Sequence, residues 1–227
     1  MVKTGVVIRD RQLAHWQARG ILHGFSPPEN PPTAQPLPVR ARQVHGRQYL
    51  EVSATTPSPA GEADALISMS PGIAVGIATA DCVPILLTTA GAETVAAIHA
   101  GWRGTLADIV GTVVSALEVR GVAPAQLEAA IGPAIGRCCF EVEDDFRTRF
   151  VDAFGDEVAS CWEDGREGHG TLDLPQLNQI LLARAGIPQG AIHLTGHCTF
   201  CAGDGYASYR RQGKDAGRQI SWIRVAT

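Results

Sequence analysis

Two adjacent runs of apolar and β-branched residues, Val83–Thr89 and residues 94–99, most constrain how this chain can fold. Each run has the length of a strand and is almost free of charged side chains, which is typical of strands that are buried on both faces. Ala90 and Gly91 lie between the runs and favour a turn. We therefore predict two buried neighbouring strands in an antiparallel hairpin, with Cys82 opposite Gly101.

The spacing of apolar residues changes immediately after this hairpin. One helical face is predicted by the positions Leu106, Ile109, Val110, Val113, Val114 and Leu117. Thr105 and Asp108 have the spacing of a capping box, and Gly121 favours the end of this helix. Residues 142–154, with phenylalanines at four-residue spacing, and residues 174–185 predict two further helices.

Further short apolar runs predict strands at residues 20–25, 38–44, 48–52, 64–68, 73–80, 127–131, 191–195 and 220–225. Because these strands cluster instead of alternating with helices, an α+β fold with mixed sheets is favoured over a doubly wound α/β fold. Six prolines between Ser26 and Pro38 predict a loop. The chain has 227 residues, of which 45% are hydrophobic, so we expect one domain spanning residues 1–227 with a continuous core.

The charge and the cysteine content of the chain limit which partners it is expected to bind and in which cellular compartment it is expected to act. Lys and Arg number 19 against 23 Asp and Glu, without a block of like charge, which disfavours nucleic-acid binding. Asp81 and Pro84 interrupt the apolar stretch over residues 73–89, and residues 1–16 lack the apolar core of an export signal. We expect a cytoplasmic protein with reduced thiols, no membrane contact and a small-molecule substrate. A monomer and a homodimer are both compatible with these features.

The residues best suited to chemistry lie in the segments TADC (79–82) and IHAGWRG (98–104). In the predicted hairpin, Cys82 lies diagonal to His99 on the same sheet face, so a thiol and an imidazole can reach one metal ion. Zinc prefers these donors, and its catalytic sites typically use three protein ligands. His45, followed by Gly46, is the best third candidate. Spacing alone favours the simpler interpretation that Cys82 and His99 are core residues.

Several polar neighbours have competing interpretations. Arg103 precedes the predicted helix, where its guanidinium and the first-turn amides are able to hold a phosphate, although surface packing explains it equally well. For Asp81 we consider three roles, in this order: orienting a ligand, acting as a general acid, and fixing the local backbone. The adjacent Arg210 and Arg211 are suited either to phosphate contacts or to surface ion pairs.

The other cysteines do not match a familiar motif. Cys198 and Cys201 form a single CxxC, whereas Cys138 and Cys139 are adjacent and lack the spacer of a zinc ribbon. A redox CxxC is expected to open a helix, but residues 202–205 favour a loop. We therefore predict that these four cysteines are structural.

Six ordered motifs resemble those of the bacterial laccase-domain family, once labelled polyphenol oxidases and now regarded as purine nucleoside phosphorylases. They are QVHG (43–46), ADALIS (63–68), TADCVPILL (79–87), AAIHAGWRGT (96–105), GPAIG (132–136) and SYRR (208–211). The resemblance implies a four-layer α/β/β/α fold and a metal bound by His45, Cys82 and His99, the three residues that spacing also selects. Further polar residues of matching segments are Arg47, Asp64, Tyr209 and Arg211.

The resemblance also implies the reaction. Adenosine, inosine or methylthioadenosine would react with phosphate to give the base and a ribose 1-phosphate, with adenosine deamination as a side activity. The expected metal is zinc, with copper as the other possibility. The expected catalytic residues are Asp81, Cys82, His99 and Arg103, and the expected substrate contacts are Arg42, Arg103 and Arg210. The short proline-rich loop after Ser26 replaces a longer segment of many members, so the resemblance does not extend to the substrate contacts of that segment.

Three other functions stay open at the level of sequence. A copper-dependent polyphenol oxidase requires several coppers and many histidines, whereas this chain has seven histidines and no HxH pair. A metal-free cysteine hydrolase would use Cys82 as nucleophile and His99 as base. A binding module without catalysis would leave the pairing of thiol and imidazole unexplained.

Overall fold

The computed structural model describes residues 13–26 and 37–227, apart from the side chains of Ser26 and Asp204. Residues 27–36, which contain most of the predicted proline-rich loop, lie outside the described residues. The strands are β1 (Ile21–Ser26), β2 (Tyr49–Glu51), β3 (Ala65–Ser68), β4 (Val75–Thr79), β5 (Val83–Thr89), β6 (Val95–Ala100), β7 (Leu127–Ile131), β8 (Glu141–Glu143), β9 (Trp162–Asp164), β10 (His169–Leu172), β11 (Ile192–Leu194) and β12 (Gln219–Val225). The helices are α1 (Ala14–Ala18), α2 (Trp102–Leu106), α3 (Ile109–Val119), α4 (Asp145–Phe154), α5 (Leu174–Arg184) and α6 (Tyr209–Gln212).

The predicted hairpin forms the centre of a six-stranded sheet. Val83 lies opposite Ala100, which is the predicted register, and every residue of β5 and β6 is buried. The strand order is β11-β7-β5-β6-β3-β2, with parallel pairs at both edges and antiparallel pairs between them. Because this mixed sheet is covered on both faces, its central strands are continuously apolar.

Helices cover one face of the large sheet. The apolar stripe of α3 and the apolar residues of α5 join the sheet in one buried cluster. This stripe comprises Ile109, Val110, Val113, Val114 and Leu117, all of them buried as the spacing predicts. The predicted helix 174–185 is confirmed as α5, whose first turn is capped by Asp173 through the amide of Gln176.

A smaller antiparallel sheet, in the order β1-β12-β4, packs on the opposite face of the large sheet. Side chains along β12 alternate between buried and half-buried, as expected when one face of a strand packs on a core and the other faces outward. Trp16 of α1 is fully buried in the same cluster. The α+β class with mixed sheets is thus confirmed. None of the described helices has the length and apolar character needed to cross a membrane.

Local structure departs from the sequence-based prediction at three places. Residues 38–44 form isolated bridges at Val39 and Arg42 instead of a strand, because the side-chain amide of Gln43 bonds both backbone groups of Ala78. Residues 142–154 divide into the end of β8 and α4. The predicted capping box is wrong, since Thr105 lies inside α2, and Asp108, at φ 56°, alone caps α3 through the amide of Gly111.

Glu128 of β7 holds the α1 segment against the large sheet. Its carboxylate accepts hydrogen bonds from Arg19 at 2.7 and 2.8 Å and from Trp16 Nε1 at 2.7 Å, and it lies 2.8 Å from His15 Nε2. Burial alone would raise the pKa of Glu128, but these partners outweigh it and lower the pKa to about 2. The charged carboxylate therefore stabilises the folded state.

We expect Glu128→Gln to lower the free energy of unfolding by about 1–3 kcal/mol near neutral pH. The folded pKa lies below the unfolded value, so this stabilisation is present above the unfolded pKa and is lost as the pH falls toward about 2. Urea denaturation of the unmodified protein and of Glu128→Gln should show a difference in the free energy of unfolding that becomes smaller as the pH is lowered. Glu118→Gln, at an exposed position of α3, is the matched control. An equal difference in the free energy of unfolding at neutral and acidic pH would contradict this role of Glu128.

Candidate metal centre

A buried carboxylate organises the residues at one end of the central hairpin. Asp64, immediately before β3, is fully buried and accepts a hydrogen bond at 2.7 Å from Nδ1 of His99 on β6. The backbone amides of Val44, His45 and Gly46 donate to the same carboxylate at 3.2, 2.9 and 2.7 Å. One side chain therefore fixes both the imidazole of His99 and the loop that carries His45.

The environment of Asp64 favours its charged form. Burial acts to raise the pKa of this carboxyl, but the hydrogen bond from His99 and those from the loop amides hold the pKa below its usual value. From the sequence, Asp64 is only a polar residue of a matching segment. A carboxylate directly before the fully buried strand β3 was the available signal, because a buried charge requires partners.

The structure brings His45, Cys82 and His99 together. Their donor atoms, one from each side chain, all lie within 4.8 Å of one another. The imidazole centroids of His45 and His99 are 4.8 Å apart. Cys82 precedes β5 and lies beside Gly101, as the hairpin register predicts, because the next pair along is Val83 and Ala100.

Two backbone features make room for this cluster. His45 adopts φ 59°, a left-handed conformation that is uncommon for residues with a side chain and is held here by the bond from its amide to Asp64. A Cβ atom at Gly101 would lie 3.0 Å from Sγ of Cys82 and 3.1 Å from Nδ1 of His45. The glycine thus leaves the space in which the thiol and imidazole approach each other.

The cluster favours a thiolate. Burial acts to raise the pKa of Cys82, but hydrogen bonds with His45 and His99 outweigh it and lower the pKa to about 6. Burial likewise acts to lower the pKa of His99, but Asp64 and the Cys82 sulfur raise it to about 9. Because Nδ1 of His99 contacts Asp64, Nε2 is the nitrogen left to face Cys82. One thiolate sulfur and two imidazole nitrogens are a donor set that fits zinc or copper.

Asp81 lies in the link between β4 and β5, where it adopts φ 83°. Its carboxylate accepts from Thr199 Oγ1 at 2.6 Å and from the amide of Arg210 at 2.7 Å. Its carbonyl accepts from the amide of Ile135 at 2.9 Å. Of the three roles considered for Asp81, these contacts correspond to the third, which is to fix the local backbone. The contact that orients a histidine is made by Asp64 instead.

The arginines suggested for substrate binding are in different situations. Arg42 is exposed and paired with Glu62, and Arg210 donates to the carbonyl of Glu141 while lying over Phe140. Arg211 donates to three backbone carbonyls, those of Thr199, Phe200 and Tyr206.

Arg103 belongs to the first turn of α2, because this helix begins at Trp102, earlier than predicted. Its guanidinium is exposed and lies 4.8 Å from the ring centroid of Trp102. Within residues 13–26 and 37–227, it has no carboxylate at ion-pairing distance. The amide of Thr105 already bonds the carbonyl of Gly101, so this amide is not free for a ligand.

Comparisons with known proteins agree with this fold. Residues 32–226 match the family described as multi-copper polyphenol oxidoreductase laccase. Purine nucleoside phosphorylase YlmD of Geobacillus stearothermophilus is 31% identical over 230 residues, which cover 97% of this chain and 79% of that protein. Adenosine deaminase RL5, from an unknown prokaryotic organism, is 37% identical over 160 residues, covering 70% of this chain and 61% of that protein.

Solved structures show the same architecture. YfiH of Bacillus licheniformis superposes with a TM-score of 0.82 at 25% identity, covering 96% of this chain and 95% of that one. The crystal structure of YlmD from Geobacillus stearothermophilus gives a TM-score of 0.80 at 25% identity, covering 92% and 93%. The fold and its His/Cys cluster define a laccase-domain protein. This chain belongs to the multi-copper polyphenol oxidoreductase laccase family, which confirms the resemblance found in its motifs.

We expect Gly101→Ala to weaken the binding of added Zn²⁺ by about 10–100-fold, because the added methyl group would require Cys82 or His45 to shift by a few tenths of an ångström. Gly190→Ala is the matched control, since a Cβ there meets no atom within 4 Å. Competition with a chromophoric chelator measures the affinity, and circular dichroism checks that both variants are folded. Equal zinc affinity in the two variants would show that a methyl group at position 101 does not disturb Cys82 or His45, contrary to this prediction.

Proposed function

We propose that this protein is a metal-dependent purine nucleoside phosphorylase that converts a purine nucleoside and phosphate to the free base and ribose 1-phosphate. The observation that carries the proposal is the convergence of His45, Cys82 and His99. Gly101 borders this cluster, and Arg103, two residues further on, is exposed and has no carboxylate partner in the described part of the chain. The similarity of this protein to the purine nucleoside phosphorylase YlmD, over 97% of the chain, supports phosphorolysis as the reaction.

In this proposal, His45, Cys82 and His99 hold zinc, with copper as the alternative metal. A bound zinc ion supplies Lewis-acid polarisation of a coordinated substrate atom and a position for water or substrate. Asp64 accepts a hydrogen bond from Nδ1 of His99, which leaves Nε2 to face the cluster. Asp81 acts as a positioning residue, because its contacts hold the turn that carries Cys82.

Arg103 is the proposed phosphate contact. Its guanidinium offers paired N–H donors that match the geometry of a phosphate, and it lies two residues after Gly101, which borders the cluster. In phosphorolysis the bond from the purine nitrogen to the anomeric carbon breaks, a phosphate oxygen bonds that carbon, and the base takes up a proton. The sugar becomes cationic on the way, so a positioned anion stabilises the transition state. Contacts of Arg42 and Arg210 with substrate stay predictions.

Adenosine deamination is a second proposed activity of the same site. The observation that favours it is the 37% identity to a protein named adenosine deaminase RL5. In that reaction water replaces the amino group of adenosine, giving inosine and ammonia. The two reactions differ in their requirement for phosphate, so one assay distinguishes them.

The other candidate functions have weaker support. A multi-copper oxidase needs several histidine-rich copper sites. All seven histidines lie in the described residues, and no group of candidate ligands there contains three of them. The chain of contacts from Cys82 through His99 to Asp64 also suits a metal-free cysteine hydrolase. Metal removal separates that activity from the proposed one.

We expect the purified protein to convert adenosine to adenine and ribose 1-phosphate only when phosphate is present. Chromatography of reactions with and without phosphate makes this measurement, and inosine in both reactions would report deamination. Dialysis against a chelator should abolish both products, and added Zn²⁺ should restore them. The proposal would be overturned if the metal-loaded protein formed neither adenine nor inosine. Full activity after removal of the metal would also overturn it.

We also expect Arg103→Gln to reduce kcat/KM for phosphate by about 10–100-fold, because losing charged hydrogen bonds costs about 1.5–3 kcal/mol. Metal content should be unchanged, since Arg103 is not one of the proposed ligands. Arg40→Gln, at another exposed arginine, is the control and should retain the kinetics of the unmodified protein. Unaltered phosphate kinetics in Arg103→Gln would remove Arg103 from the proposed site.

A further inference from the structure

We propose that Cys138, Cys139, Cys198 and Cys201 form a second metal site, a tetrathiolate that binds Zn²⁺ and links two loops. The structure brings these four side chains together, with every sulfur within 4.8 Å of the others. The adjacent Cys138 and Cys139 do not match the spacing of a zinc ribbon, so the sequence predicts four structural cysteines without a metal. Folding supplies the second pair from a loop about sixty residues later, which spacing along the chain does not reveal.

The distances between sulfurs fit one small cation. Sγ of Cys201 lies 3.4 Å from that of Cys138 and 3.2 Å from that of Cys139, and Cys138 and Cys139 are 3.6 Å apart. Tetrahedral ligands with Zn–S bonds of about 2.3 Å are separated by about 3.8 Å, so small shifts complete the site. A disulfide requires about 2.05 Å, so none of these pairs is bonded.

The backbone builds the cluster from two loops that contact each other directly. Ala134 and Cys198 form a parallel bridge, and the amide of Thr199 donates to the carbonyl of Ala134 at 2.9 Å. The amide of Cys139 donates to the carbonyl of Gly136 at 3.0 Å, which turns the adjacent cysteines toward the other loop.

Gly136 is fitted to the cluster in two ways. Its amide points at Sγ of Cys198, 3.3 Å away, and an N–H donor of this kind stabilises a ligating thiolate. A Cβ on Gly136 would lie 3.3 Å from Cβ of Cys198 and 3.5 Å from Sγ of Cys138. A larger residue would therefore push the two loops apart.

Four sulfur ligands indicate a particular kind of metal and role. Thiolates select Zn²⁺ or iron over hard cations, and a set of four protein ligands leaves no position for substrate. We therefore assign Zn²⁺ and a structural role to this site. Cys138 and Cys201 are exposed, so the same thiols would be open to oxidation without a metal.

The second site would support the first. The loop of Cys198 and Cys201 also carries Thr199, which is fully buried and donates to Asp81, the residue before Cys82. Arg211 fastens this loop further through the carbonyls of Thr199 and Phe200. Loss of zinc from the cysteine cluster is expected to loosen the turn that positions Cys82, although the two sites share no ligand.

Elemental analysis of protein purified anaerobically with a reductant tests the assignment. We expect about two zinc ions per chain in the unmodified protein and about one in His45→Ala. X-ray absorption of His45→Ala should then show a sulfur-only shell near 2.3 Å, the distance expected for about four thiolates. The double variant C198S/C201S should keep only the zinc of the first site. Cys161→Ala, at a buried cysteine outside both clusters, is the matched control and should keep both ions.

A second measurement does not depend on the folding of any variant. In the native protein, Cys138 and Cys201 should resist alkylation by iodoacetamide until zinc is removed, despite their exposure. Rapid alkylation of both in protein with a single zinc would overturn the site, and so would a disulfide between Cys139 and Cys201 in anaerobic protein. Iron in place of zinc would overturn the choice of metal. A loss of phosphorolysis with both zinc ions retained would count against the proposed function alone.

Discussion

The carboxylate of Asp64 is the contact on which the arrangement of this molecule's chemistry depends. It is fully buried, and its charge is compensated by one imidazole and three successive backbone amides. A buried charge without such partners would be very costly, so the loop around His45 and the strand of His99 are held in one relative position. The left-handed backbone of His45 persists because this network determines it.

The central hairpin was predictable because its residues leave few alternatives. Both strands are apolar throughout, and the register follows from the turn, so the proximity of Cys82 and His99 could be derived before the structure was known. The helical stripe of α3 was equally clear, since five apolar positions face one cluster. These elements share one property: their local pattern and their burial require the same conformation.

The local features that the sequence did not predict involve side chains that bond backbone groups or bend the backbone. Gln43 takes the place of a strand partner for Ala78, Asp108 breaks one predicted helix into two, and Asp81 bends the link before β5. The role of Asp64 and the assembly of four cysteines arise from residues far apart in the chain. Neither propensity nor spacing contains that information, because both describe only neighbours along the sequence.

Gly101 has a consequence beyond this chain. The absence of its side chain provides the space shared by Cys82 and His45, while the sheet itself does not require glycine there. A larger side chain at this position would crowd Cys82 and His45 without straining the backbone, since φ at Gly101 is -69°. Glycine here is therefore a simple marker in a relative's sequence that there is room for the same three-residue cluster.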